Sequence, residues 1–143
     1  MKLLLEIKEK FTAIGKDIFD GGVVMAVNQS VAMSRLKDKP KSILLVAYPE
    51  IDRIGKQDND TYLNDINIWA IQKWQTTTTT HDEEDKIYNE LQKKLKELID
   101  KMKEQIDNGC SFFRQVMLDT IEITPVYNFF GGFNGWYCNF KMK

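Results

Sequence analysis

Between Thr80 and Gly109 the sequence leaves little freedom for the backbone. Ile87, Tyr88, Leu91, Leu95, Leu98, Ile99, Met102 and Ile106 recur in steps of three and four, which stacks them in one stripe on a helix. The rest of the wheel is nearly all charge, with Lys86, Glu90, Lys93, Lys94, Glu97, Asp100, Lys101 and Glu104. Glu90 precedes Lys94 by four residues and Glu97 precedes Lys101 by four. That is the favourable orientation for pairs worth about 0.2–0.5 kcal/mol each. Thr80-His81-Asp82-Glu83 has the form of a capping box, in which Thr80 accepts from a free backbone N–H while Glu83 reaches back. Asp82 to Asp85 then sit at the positive end of the helix dipole, and Asn108-Gly109 supplies a left-handed exit. At ~1.5 Å per residue such a helix spans roughly 40 Å. Its single apolar stripe requires it to lie against a sheet or another helix.

The remainder of the chain supplies what that stripe covers. Leu4, Ile7, Phe11, Ile14 and Ile18 give residues 2–19 a second helical stripe, ended by Asp20-Gly21-Gly22. Val23 to Val27 reads as a short strand. Ser30 to Lys41 reads equally as strand or helical turn until Pro40, which disfavours helix at Lys39. Ile43 to Tyr48 is an unbroken apolar run bounded by Pro40 and Pro49, as expected of a strand covered on both faces. Asp52 to Asp65 is rich in Asp, Asn, Gly and Lys and predicts a long polar loop. Ile66 to Trp74 alternates, with Ile66, Ile68, Ala70 and Trp74 on one face and Trp69 and Ile71 on the other. It is expected to run antiparallel to the 43–48 strand. Thr76 to Thr80 connect it to the long helix.

Beyond Gly109, Ser111 to Met117 is ambiguous, and Asp119 to Tyr127 predicts a strand. The glycine-rich run Phe129 to Gly135 predicts a turn. The chain closes with a period of two, Trp136, Cys138, Phe140 and Met142 facing one way and Tyr137, Asn139, Lys141 and Lys143 the other. The predicted order is α-β-β-β-α-β-β. The matching class is α+β, one domain with a mostly antiparallel sheet and both helices packed on one face.

The balance of 20 basic against 21 acidic residues leaves a formal charge of -1, so no global field draws in nucleic acid. Cys110 and Cys138 make neither a disulfide framework nor a metal knuckle, and read as buried thiols in a reducing compartment. Glu6, Lys8, Glu9 and Lys10 interrupt any signal-peptide run, and no apolar run reaches membrane-spanning length. These features point to a soluble, intracellular protein.

Converging catalytic groups are scarce. His81 is the sole histidine, and its place in the first helical turn reads as solvated. Gly131-Gly132-Phe133-Asn134-Gly135 opens a strand, whereas a phosphate-cradling loop opens a helix. The acidic Asp52, Asp58, Asp60 and Asp65 lack the alternating pattern of a calcium loop. No cofactor, metal or catalytic residue is expected. One face of the 66–74 strand remains, with Trp69 and Ile71 on it. It awaits either a neighbouring subunit or a covering element from the N-terminal region.

The segment Ile123-Thr124-Pro125-Val126-Tyr127, a glycine-containing turn, and then Gly135-Trp136-Tyr137-Cys138-Asn139-Phe140 resembles the ending of small tail-terminator or neck (tail-completion) proteins of tailed bacteriophages, especially those of the Bacteroides group. The order of elements is similar along most of the chain. The resemblance implies a virion structural protein, not an enzyme, assembled in the bacterial host cytoplasm. Its copies would form a homomeric ring at the head–tail junction between connector and tail proteins, and DNA would pass through without specific binding. Ring closure needs a head-to-tail contact between two different patches. The expected contact residues are Trp69 and Ile71 on the 66–74 strand, and Asp58, Asp60 and Tyr62 in the 52–65 loop. The competing expectation is an intracellular protein-binding adaptor or regulatory module using the same face.

Overall fold

The computed structural model describes residues 1–36, 41–55, 61–74 and 78–143. Pro40, Asp58, Asp60, Thr76 and Thr77, each used in the reading above, lie outside the described residues. The described chain folds as α1 (Leu4–Gly15), β1 (Val23–Ala26), α2 (Gln29–Leu36), β2 (Ile43–Ala47), β3 (Glu50–Ile54), β4 (Thr61–Lys73), α3 (His81–Asp107), β5 (Val116–Phe129) and β6 (Phe133–Met142). A 3₁₀ turn, Phe113–Gln115, precedes β5. The class is α+β, with one six-stranded sheet in which five strands run in the order β1-β2-β4-β6-β5 and β3 pairs with the start of β4. All pairings are antiparallel except β1 with β2.

Helix α3 is built as its sequence requires. Thr80 Oγ1 accepts from the Glu83 N–H at 3.2 Å, and the Glu83 carboxylate accepts from the Thr80 N–H at 3.2 Å. At the other end the Cys110 N–H reaches the Gln105 carbonyl and the Gly109 N–H reaches that of Ile106, with Gly109 at φ 82°. This paired closure satisfies carbonyls that the helix end would otherwise orphan. The surface ion pairs differ from those expected. Glu90 pairs with Lys93 and Lys96 with Asp100, while Lys94 donates to the Ile18 carbonyl at 2.7 Å and ties α3 to the turn after α1.

One face of the sheet carries the larger core. Helix α1 contributes Ile7, Phe11 and Ile14, α3 contributes Leu95, Leu98 and Met102, and the sheet answers with Ile66, Ile68, Cys138 and Phe140. Phe11 meets Phe113 edge-on at a centroid distance of 5.8 Å. Burying side chains of this size stabilises the fold by about 1.5–3 kcal/mol each. Strand β2 is buried on both faces as expected. Leu44 and Val46 enter this core, and Ile43 and Leu45 enter a second one.

The second face of the sheet carries its own core, and its covering helix comes from the N-terminal region, one of the two expectations for that face. Helix α2 occupies the ambiguous segment and lays Ala32 and Leu36 over Ile43, Leu45 and Ile71, joined by Val126, Phe130 and Phe133 from the β5–β6 hairpin. The predicted 52–65 loop is corrected. Residues 50–54 form β3, which pairs with Thr61–Asp65 at the start of β4. Every residue of β3 is exposed, so no hydrophobic alternation marks it. Backbone pairing to β4 alone makes it a strand.

Candidate functional site

Where α2 stops covering the second face, the sheet opens into a cleft of about 720 Å³. Its floor is Asn67 and Trp69 of β4. One wall is the β1–α2 turn, where Asn28 Oδ1 accepts from the Val31 N–H at 2.9 Å and so starts the helix. A second side is the β2–β3 junction with Tyr48 and Glu50. The third is the tip of the β5–β6 hairpin, Tyr127 to Phe130, folded back over the sheet.

That tip is held in an uncommon backbone geometry. Asn128 and Phe130 have φ of 56° and 51°, a region non-glycine residues rarely occupy. The Asn134 side chain pins it. Its Oδ1 accepts from the Asn128 N–H at 2.7 Å and its Nδ2 donates to the Gly132 carbonyl at 3.3 Å. The turn sets Phe130 edge-on against Trp69 at 5.2 Å between centroids, and Tyr137 lies on Trp69 at 5.1 Å. The Trp69 indole N–H is buried without a hydrogen-bond partner among the described residues.

From Trp69 a polar ladder runs along the same face to the end of β4. The Tyr137 hydroxyl donates to Asn67 Oδ1, and Asn139 Nδ2 donates to Asn67 Oδ1 at 2.8 Å and to Asp65 Oδ1 at 2.6 Å. Lys141 pairs with Asp65 at 2.8 Å. Burial raises the Asp65 carboxyl. The bonds from Lys141 and Asn139 outweigh it, and the group lies below its ordinary value. Lys141 is raised, chiefly by its bond to Asp65, and Tyr137 is raised by burial and then by the Asp65 charge. On the opposite face burial pushes the Cys138 thiol up to about 12.

The expected contact residues separate. Trp69 is half-buried, packed between Phe130 and Tyr137, and forms part of the cleft floor. Ile71 is fully buried beneath the second core, so it is unavailable to a neighbouring subunit. Tyr62 is half-buried at the start of β4, opposite Arg53 and on the other face of the sheet from Trp69. Asp58 and Asp60 lie outside the described residues. Only folding brings Glu50, Tyr127 and Phe129 together, and Phe129-Phe130 ahead of two glycines is their one signal in the sequence.

Among the described residues no group of three or more His, Cys, Asp and Glu side chains is placed to hold a metal ion. No described helix is long and apolar enough to cross a membrane. The fold and cleft define an α+β protein with a mixed sheet and an aromatic recess on its less covered face. No protein-family model, curated protein or solved structure matches the chain.

Proposed function

We propose that the protein is a bacteriophage virion structural protein whose copies close into a ring at the head–tail junction. Its partners are itself and the adjoining connector and tail proteins, and it is assembled in the bacterial host cytoplasm. The supporting observation is that apolar side chains lie exposed at both margins of one sheet. Ile51 and Ile54 of β3 stand on one side, and Leu118 and Ile123 of β5 on the other. A heterologous contact needs two such different patches, placed apart on the same subunit. The outer edge of β5 is blunted by Pro125 and by register shifts after Met117 and Val126. Contact through side chains therefore suits it better than strand addition. A formal charge of -1 is compatible with a bore that passes DNA without holding it.

Light scattering coupled to size-exclusion chromatography tests the reading. Wild-type chain should form a closed oligomer, and Ile51→Asp or Ile123→Asp should each dissolve it while leaving circular dichroism unchanged. Mixing the two variants should restore one intact contact and yield only a dimer. A strictly monomeric wild type at high concentration, or closed oligomers in either variant, would refute the ring. A second reading, an intracellular protein-binding adaptor or regulatory module, is favoured by the open cleft at Trp69, which a segment of a partner would fill.

A further inference from the structure

The cleft at Trp69 has a chemistry independent of any assembly. Five aromatic side chains line it: Tyr48, Trp69, Tyr127, Phe129 and Phe130. Among the described residues that line it, Glu50 is the sole charged one, with no lysine, arginine or histidine beside it. A second carboxylate on this face is already neutralised, since Asp65, opposite Glu50 in the β3–β4 register, pairs with Lys141 at 2.8 Å. Glu50 itself is exposed and has no such partner among the described residues.

From this we infer that the cleft binds an organic cation, an alkylammonium or guanidinium head group. Aromatic faces carry negative quadrupole density that attracts a cation lying over them, and the attraction grows when water is partly excluded. A carboxylate at the mouth adds a full opposite charge. Binding an anion such as a phosphate would place like charge beside Glu50 with no cation to offset it. A neutral sugar would stack on the rings and donate hydroxyl hydrogen bonds to Glu50 and the neighbouring amide oxygens, but it would gain nothing from the charge, and maltotriose serves as its probe. The same head group can arrive free in solution or at the end of a lysine or arginine side chain.

Titration of the full chain, followed by NMR of the tryptophan indole resonances, tests the inference with four probes, maltotriose being the neutral-sugar control. Choline is compared with 3,3-dimethylbutan-1-ol, its uncharged isostere, and with N-acetyl-arginine methylamide. Choline should bind about tenfold more tightly than the isostere, the size of a partly desolvated cation–π contact. Glu50→Gln should weaken choline roughly fivefold, and added salt should weaken it further. Tyr127→Leu, at a ring that is 59% exposed and so dispensable for folding, should also weaken it. Tighter binding of the arginine derivative than of choline assigns the site to a side chain, and the reverse assigns it to a free cation. Equal binding of choline and its isostere, no response to either cation, Glu50→Gln indistinguishable from wild type, or tighter binding of maltotriose would each overturn the inference.

Discussion

Gly135 joins the sequence most directly to the fold. It lies in β6 opposite Ile71 of β4, with φ at 151°. A Cβ built there would stand 2.1 Å from the Ala70 carbonyl oxygen and 3.1 Å from the Ile71 Cα. Both contacts are backbone of a central strand, which cannot swing aside as a flexible side chain would. Gly135→Ala therefore incurs two penalties. The backbone conformation costs a side-chain-bearing residue about 1–3 kcal/mol. Prising β4 from β6 costs a further ~1–3 kcal/mol or more by analogy with overpacked cores. The sum, about 2–6 kcal/mol, is a large share of the ~5–15 kcal/mol that holds a typical domain folded. Gly109→Ala isolates the first penalty, because Gly109 also has positive φ, 82°, but an added Cβ meets nothing within 4 Å. It should cost about 1–2 kcal/mol. Urea unfolding followed by far-UV circular dichroism measures both. If the two variants lose the same stability, the close approach of β6 to β4 is not what requires glycine at 135.

Two further outcomes follow from the ionisable groups. Lys141→Met removes the partner of Asp65. The folded carboxyl is lowered, so its stabilisation is present above the unfolded value near 3.8 and fades as pH falls through the folded one. Lys141 is raised, so its share is present below its ordinary 10.5 and fades as pH rises through the folded value. The variant should be less stable by about 1 kcal/mol or less at neutral pH, given that the lysine is 35% exposed, and equal to wild type at pH extremes in thermal melts. A deficit independent of pH would refute the pairing. Cys138, buried with its thiol pushed up to about 12, should resist iodoacetamide in the folded protein at pH 8 while half-buried Cys110 is alkylated, and both should react after denaturation. Native alkylation of Cys138, read by mass spectrometry, would contradict its burial.

Parts of this structure could be read from residues alone because their determinants are local. The stripe Leu91, Leu95, Leu98 and Met102, the Thr80–Glu83 box and the Asn108-Gly109 exit lie within one helix and its two ends. The alternation from Trp136 to Met142 needed only the strand period. Strand β3 was illegible for the converse reason. Glu50-Ile51-Asp52-Arg53-Ile54 buries no side chain, so its polarity resembles that of a loop, and only the β4 backbone opposite gives it strand geometry. Helix α2 has a short, weakly apolar face, and nothing within it shows that Ala32 and Leu36 will meet Ile43 and Ile71. Lys94 stands four residues after Glu90 but donates to the Ile18 carbonyl at 2.7 Å, an acceptor that only the docking of α1 beside α3 provides.

The sequence by itself determined α1, α3 and the two-faced strand β2, since hydrophobic period and capping chemistry act over a turn or two of chain. Tertiary structure decided which face of the sheet remained open. The covers of the second face, α2 and the hairpin tip at Phe130, are separated by about a hundred residues in the chain and meet over Ile71 only once the sheet exists. That long-range closure converted Ile71 from a candidate contact into core. It also left Trp69 as the floor of a cleft whose walls come from three distant segments.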